Sequence, residues 1–443
     1  MLQLRRKIDK FLSDWKEHPG HKPLIVKGAR QIGKTFSIEE FGSKYYENVI
    51  SINFILQPQF RTIFDDGYDE KSIIKNISFI NPALSFEPGK TLIFFDELQA
   101  CPAAATSLKS FAIEGNYDVI CSGSLMGINY NEIESNAVGY KEDYEMFSLD
   151  FEEFLWAKGY TDDMISEITS YLHEVKPLPA TMFNVLSDIF KDYMVVGGMP
   201  AVVDSYILRG NFSGTLELQR QLLTDYQEDI TKYAEGLDKG KILNVYNHIS
   251  TFLARENKKF RISKVGVHAR SRDYVGVIDW LGSAGIVNIC YCLSVLELPL
   301  KGNYEPDIFK LYYQDTGLLV ASLDEEAQID LRNNKNFATY KGAIYENVVA
   351  DMLRKAGYTL YYYRNEKSTV EIDFFVRSIN SLVPVEVKAA DNPSRSLQKV
   401  TDGRIADIKF GIKLCHKNIG FNGNFYTIPY FLAFALKEFL RNK

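Results

Sequence analysis

Cysteine and histidine are scarce in this sequence, and positive charge is not in excess. The five cysteines (Cys101, Cys121, Cys290, Cys292 and Cys415) are odd in number and scattered. No two pairs have zinc-finger spacing, so a disulfide scaffold and a structural zinc domain are both excluded. Buried free thiols in a reducing compartment are expected instead. No apolar run approaches the ~18 residues that a membrane span requires, and Met-Leu-Gln-Leu-Arg-Arg-Lys at the start is followed by no apolar signal core. The expectation is a cytoplasmic chain with no membrane partner. A net charge of −6 excludes a surface coated in positive charge, so any nucleic-acid contact must come from a local basic patch. What is present is an ordinary globular composition, 46% hydrophobic and 24% charged over 443 residues. That length suggests about three domains.

One stretch organises the rest. Gly28-Ala29-Arg30-Gln31-Ile32-Gly33-Lys34-Thr35 fits G-x-x-x-x-G-K-[ST]. It follows a short apolar run, Pro23 to Lys27, that reads as a buried strand, and it precedes a helical pattern. In that setting the glycines let backbone N–H groups turn onto a phosphate. Lys34 can reach the β- and γ-phosphates, and the Thr35 hydroxyl can hold Mg²⁺. Asn48 to Phe54 reads as a second strand. Thr91 to Glu97 is an apolar strand emptying into two adjacent carboxylates. After a phosphate loop, Asp96 is expected to hold Mg²⁺ through water and Glu97 to polarise the attacking water. Tyr117 to Ser124 is another apolar strand with a polar end, which makes Ser122 and Ser124 candidates for sensing the γ-phosphate. Over the first 160 residues strands and helices alternate, with polar side chains at strand C-terminal ends, as in α/β folds that bind ligands along that edge.

Several motifs together carry a resemblance. Gly28 to Thr35, Phe94-Phe-Asp-Glu-Leu-Gln99, Cys121-Ser-Gly-Ser124, Leu149-Asp-Phe-Glu-Glu-Phe-Leu155, Val196-Gly-Gly-Met-Pro200 and Lys310 to Leu318 look like a prokaryotic AAA-type P-loop ATPase family whose members carry the C-terminal domain of unknown function DUF4143. The resemblance covers nearly the whole chain. It implies ATP and Mg²⁺ as ligands, and homo-oligomers as a candidate assembly. Many relatives have a Gly-Arg pair before the Leu-x-Phe-x-Glu-Phe segment. This chain has Gly139-Tyr140-Lys141 instead, which puts an arginine-finger role in doubt because Lys and Arg are not interchangeable at a phosphate.

Residues 160–235 are helical by pattern and read as a lid, with Gly197-Gly198 as punctuation between helices. Residues 240–297 suggest a winged helix: a helix over 242–254, a short second helix near 262–267, a third from Arg272 to Ala284, then a strand. Lys264, Arg270 and Arg272 lie in a basic run just before and into that third helix and are candidate nucleic-acid contacts. A winged helix used only for protein contact is the competing reading.

The last stretch carries a second constellation. A helix opening at Lys341 bears Glu346. Val370 to Val376 and Leu382 to Lys388 are alternating strands. A turn centred on Ile379-Asn380 makes them an antiparallel hairpin with Asp373 opposite Glu386 and Glu371 opposite Lys388. Facing carboxylates call for a cation, so Asp373 and Glu386 are candidate Mg²⁺ ligands, with Glu346 as a third and Lys388 orienting a water. This pattern resembles the PD-(D/E)XK nuclease superfamily. A nuclease-like fold retained without cleavage is the competing reading.

The expected organisation is thus an α/β chain in four parts. They are an AAA-type P-loop ATPase core (1–158), a helical lid (159–235), a winged helix (236–330) and a PD-(D/E)XK nuclease-like domain (331–443). The expected function is Mg²⁺-dependent ATP hydrolysis coupled to a DNA- or RNA-facing C-terminal half. The alternative is a regulatory ATPase switch that binds protein partners.

Overall fold

The computed structural model describes residues 3–443 apart from 127–136, 235, 254–258, 261, 265–273, 275, 324–325, 334–338, 366–368 and 390–392. The chain divides into two compact units, one formed mainly by Arg5–Ser148 and the other mainly by Leu149–Lys443.

The first unit is built on a five-stranded, all-parallel sheet. Its strands are β1 (Leu24–Gly28), β2 (Asn48–Asn53), β3 (Thr91–Asp96), β4 (Asp118–Ser124) and β5 (Glu142–Met146), in the order β2-β3-β4-β1-β5. All six residues of β3 are buried, as the near-continuous apolar run Thr91-Leu-Ile-Phe-Phe-Asp96 requires of an inner strand of a parallel sheet. Ile50, Ile52, Ile93, Phe95, Val119 and Cys121 form one apolar layer with Phe60, Ile63, Ile73, Leu108 and Phe111. Ahead of β1, Lys7–Glu17 is an amphipathic helix that buries Ile8, Leu12 and Trp15. The chain returns to opposite sides of β1 as it leaves for β2 and later for β5, which opens a crevice at the carboxyl ends of the strands.

The second unit contains an eight-stranded mixed sheet. Its strands are β6 (Val287–Leu293), β7 (Tyr304–Tyr313), β8 (Leu360–Arg364), β9 (Glu371–Arg377), β10 (Leu382–Lys388), β11 (Gly411–Cys415), β12 (Gly420–Phe421) and β13 (Phe425–Pro429), in the order β12-β13-β11-β10-β9-β8-β6-β7. The helix Thr339–Lys355 contributes the buried Val348, Val349, Met352 and Leu353. On another apolar layer, Leu397 and Val400 of the helix Arg395–Val400 meet Ile372, Phe375 and Leu382.

Residues 159–235 are helical as the pattern suggests, with helices at Asp162–His173, Ala180–Val196, Pro200–Arg209 and Thr215–Tyr233. The winged-helix expectation fares differently. The helix Lys239–Leu253 forms. Of the second expected helix the described residues show a 3-10 turn, Ile262–Lys264, and of the third they show Val277–Ser283; the rest of the 265–275 stretch lies outside the described residues apart from Tyr274. The strand after it, β6, pairs with β7 and lies parallel to β8, so it belongs to the large sheet. Residues 236–330 and 331–443 therefore share one sheet.

The hairpin register matches expectation over its paired length. Leu382 faces Arg377, Val383 faces Val376, Pro384 faces Phe375 and Val385 faces Phe374. One step further in this register sets Glu386 beside Asp373.

Three sequence motifs meet in the second unit, and glycine explains why. Leu149-Asp150-Phe-Glu-Glu153 is a capping box: Glu153 N–H donates to Asp150 Oδ1 at 2.9 Å, and Asp150 N–H donates to Glu153 Oε2 at 3.0 Å. A Cβ on Gly198 would lie 2.0 Å from Leu149 O, and one on Gly197 would lie 2.0 Å from Asp315 Oδ1. Asp315 accepts from Gly198 N–H at 2.7 Å and from Gly317 N–H at 3.0 Å. Val196-Gly-Gly-Met-Pro200 and Gln314-Asp-Thr-Gly317 thus interlock at backbone distance.

Candidate functional site

The crevice of the first unit is built from the ends of β1 to β4. Gly28 closes β1, and a Cβ there would meet Met146 O at 2.2 Å, so only glycine fits. Gln31 (φ 60°) and Gly33 (φ 93°) take left-handed backbone, which turns the loop into the helix Lys34–Tyr45. Arg6, buried beneath the loop, donates to Ile32 O at 2.9 Å and to Phe147 O at 2.7 Å. Sequence reasoning missed this brace. The signal was only an arginine ahead of an amphipathic helix.

Lys34 Nζ folds back on its own loop, donating to Gly28 O at 3.2 Å and Ala29 O at 2.7 Å. Burial lowers its pKa to about 8, against the pull of the Glu97 and Asp96 carboxylates. Asp96 is surrounded by neutral donors. Thr35 Oγ1 donates to Oδ2 at 3.1 Å, Asn53 Nδ2 donates to the same oxygen at 2.9 Å, and the Ser122 hydroxyl donates to Oδ1. Asn53 was not singled out from sequence. It is the register partner of Asp96 and, like it, ends its strand on a polar side chain.

The structure separates the two serine candidates. Ser122 is committed to Asp96. Ser124, level with Gly28 across the β1–β4 ladder, is buried, and among the described residues its hydroxyl has no hydrogen-bond partner. Glu97 sits at φ 60°, a strained position for a non-glycine residue. Its carboxylate accepts from the Gln99 side-chain amide, whose oxygen accepts from Ser124 N–H at 3.4 Å. Lys141 pairs with Asp143 of β5 at 2.6 Å, which commits the charge that replaces the relatives' arginine.

The Mg²⁺ expected here finds suitable donors. The buried Asp96 carboxylate and the Thr35 hydroxyl beside it are oxygen donors of the kind that a phosphate-bound Mg²⁺ takes.

In the second unit, Lys388 Nζ lies 2.9 Å from Glu386 Oε1, and Asp373 Oδ2 accepts from Val387 N–H at 2.8 Å. Burial would lower the Lys388 pKa. The Glu386, Asp373 and Glu346 carboxylates outweigh it and raise the pKa above the ordinary value. Glu346 differs from expectation. It is held by Lys310 and by the Tyr312 hydroxyl, both from β7. Among the described residues no group of three or more His, Cys, Asp or Glu is arranged to hold a metal ion. Of the three carboxylates expected to share Mg²⁺, Glu346 is turned to Lys310 and Tyr312, while Asp373 and Glu386 lie beside Lys388. Lys310 and Tyr312, though part of a motif noted in the sequence, were not linked to Glu346 because they belong to a strand that the sequence pattern assigns to another domain. Of the expected nucleic-acid contacts, Lys264 is exposed on its 3-10 turn, and Arg270 and Arg272 lie outside the described residues.

A family model described as an AAA domain matches residues 20–155. Two domains of unknown function, DUF8612 and DUF4143, match residues 187–329 and 341–431. No curated protein matches the chain. Among solved structures, the Walker-type ATPase PABY2304 of Pyrococcus abyssi is 13% identical with a TM-score of 0.44, over 72% of this chain and 95% of that one. The Aeropyrum pernix ORC2 protein in its ADP form is 11% identical with a TM-score of 0.32, over 77% of this chain and 95% of that one. AMPPCP-bound DnaA from Aquifex aeolicus is 14% identical with a TM-score of 0.29, over 64% of this chain and 88% of that one.

Proposed function

We propose that this chain, an AAA-type ATPase carrying a C-terminal DUF4143 domain, hydrolyses ATP with Mg²⁺ and passes its nucleotide state to a nucleic-acid-facing C-terminal half. The observation that carries the first part is the ring of Thr35, Asn53 and Ser122 around Asp96, beside Lys34 on its loop. Thr35 and Asp96 would hold Mg²⁺, which supplies charge neutralisation along the phosphates. Loop N–H groups and Lys34 bind and orient the phosphates. The Ser124 hydroxyl meets the γ-phosphate. The Glu97 carboxylate, once released by Gln99, orients the attacking water and takes its proton. The coupling is supported by the basic run that includes Lys264. Lid movement would transmit the change. Homo-oligomers and an arginine supplied by a neighbour belong to the same proposal.

The test is ATP hydrolysis by wild type, Lys34→Ala and Glu97→Gln, each with and without DNA or RNA. Hydrolysis that needs Lys34 and rises with nucleic acid supports the whole reading. Hydrolysis that needs Lys34 and ignores nucleic acid keeps the ATPase and moves the partner to protein. No hydrolysis by wild type overturns it.

A further inference from the structure

The carboxylate cluster of the eight-stranded sheet has a cation of its own. Lys310 rises from β7, and its ammonium crosses the faces of β6 and β8. It lies 4.7 Å from the centre of the Tyr362 ring, 3.2 Å from Glu346 Oε1 and 3.0 Å from Glu371 Oε1. Lys310 is 1% exposed and Glu346 is 2% exposed. An ammonium taken this far out of water survives only where anions surround it. Here they do. Tyr312 adds a hydroxyl to Glu346, and Arg364 approaches Glu371 at 3.7 Å.

The cluster therefore has two halves. In one, Glu346 and Glu371 share Lys310. In the other, Asp373 and Glu386 face each other beside Lys388, and Glu386 Oε2 is buried with no hydrogen-bond partner among the described residues. We infer that Lys310 is the resident cation of this cluster: its ammonium stands where a divalent ion would bridge Glu346 and Glu371, so those two carboxylates take no metal. A point charge with three donors can satisfy two carboxylates and a π-face much as a hard cation does. Unlike a metal it cannot leave, so the sheet keeps its charge balance at any metal concentration. Any divalent ion in this domain is confined to Asp373 and Glu386.

The experiment is Mn²⁺ binding to the nucleotide-free, metal-stripped full chain, followed by the loss of free-Mn²⁺ signal in electron paramagnetic resonance. Melting curves are recorded in parallel. Wild type and Glu346→Gln should bind equal Mn²⁺. Lys310→Ala should bind an additional equivalent that disappears when Glu346→Gln is added. It should melt several degrees lower than wild type without metal and recover most of that loss with Mn²⁺, because a bound ion stabilises the state that binds it. A purely structural ion pair would give the melting loss without metal recovery. The inference is overturned if Lys310→Ala gains no Mn²⁺, or if wild type loses Mn²⁺ on Glu346→Gln or Glu371→Gln. That last comparison decides the matter even where Lys310→Ala yields no folded protein. None of these readouts depends on ATP hydrolysis.

Discussion

Asp96 in the first unit and Glu346 in the second are both buried carboxylates among polar side chains, and they are satisfied in opposite ways. The donors that the structure places on Asp96 are hydroxyls and an amide, which hold the group in position without an ion pair. Glu346 instead meets a lysine ammonium. A carboxylate held by neutral hydrogen-bond donors is open to a cation that arrives with a ligand. A carboxylate already paired with lysine is complete without one. The same chemical group thus meets neutral donors in one place and an internal counter-charge in the other, and only the neighbours tell them apart.

The largest effect that sharpens this contrast is at Lys34. Lys34→Ala should lower ATP turnover by about 10³-fold or more while leaving the melting temperature close to wild type, since it removes a charge aimed at phosphate rather than a packing contact. Glu97→Gln should lower turnover by about 10²–10⁴-fold and retain ATP binding, measured by fluorescent-nucleotide titration. Next comes stability. Lys310→Met should cost about 3–5 kcal/mol in denaturant unfolding, because it strands buried carboxylates. Asp96→Asn should stay within about 1 kcal/mol of wild type, since its partners are neutral. Equal costs at the two positions would break the comparison.

The smallest effect is in pH. Burial holds Lys34 at about 8 in the nucleotide-free protein, below its ordinary value, so the ammonium is present below that pH and lost above it. Affinity for ATP should therefore weaken above about pH 8 in wild type and stay flatter in Lys34→Arg, whose guanidinium does not titrate in that range. The stability sign runs the other way. An unfolded Lys34 binds its proton up to about 10.4, so between these values the unfolded state holds more protons and this residue's contribution to stability rises with pH.

The nucleotide crevice was legible because its residues are close in sequence or sit at the ends of apolar strands, as Gly28 to Thr35, Asp96 and Ser124 do. Asn53 and Gln99 obey the same rule but carry no motif of their own, and Arg6 acts from outside any strand. The hairpin register was legible too, since alternation in Val370 to Val376 and Leu382 to Lys388 leaves one way to bury the apolar faces. Lys310 was not. Its partners Glu346 and Glu371 lie beyond the intervening helices, and pairing between distant strands leaves no local pattern.

The joining of β6 and β7 to β8 bears on how this chain can be dissected or inherited. A fragment beginning near residue 331 would leave one side of β8 without its neighbour and remove the lysine that balances Glu346. Such a raw edge invites self-association. Segments that look like separate modules along the sequence should therefore be transplanted, expressed or lost in evolution only as a single piece.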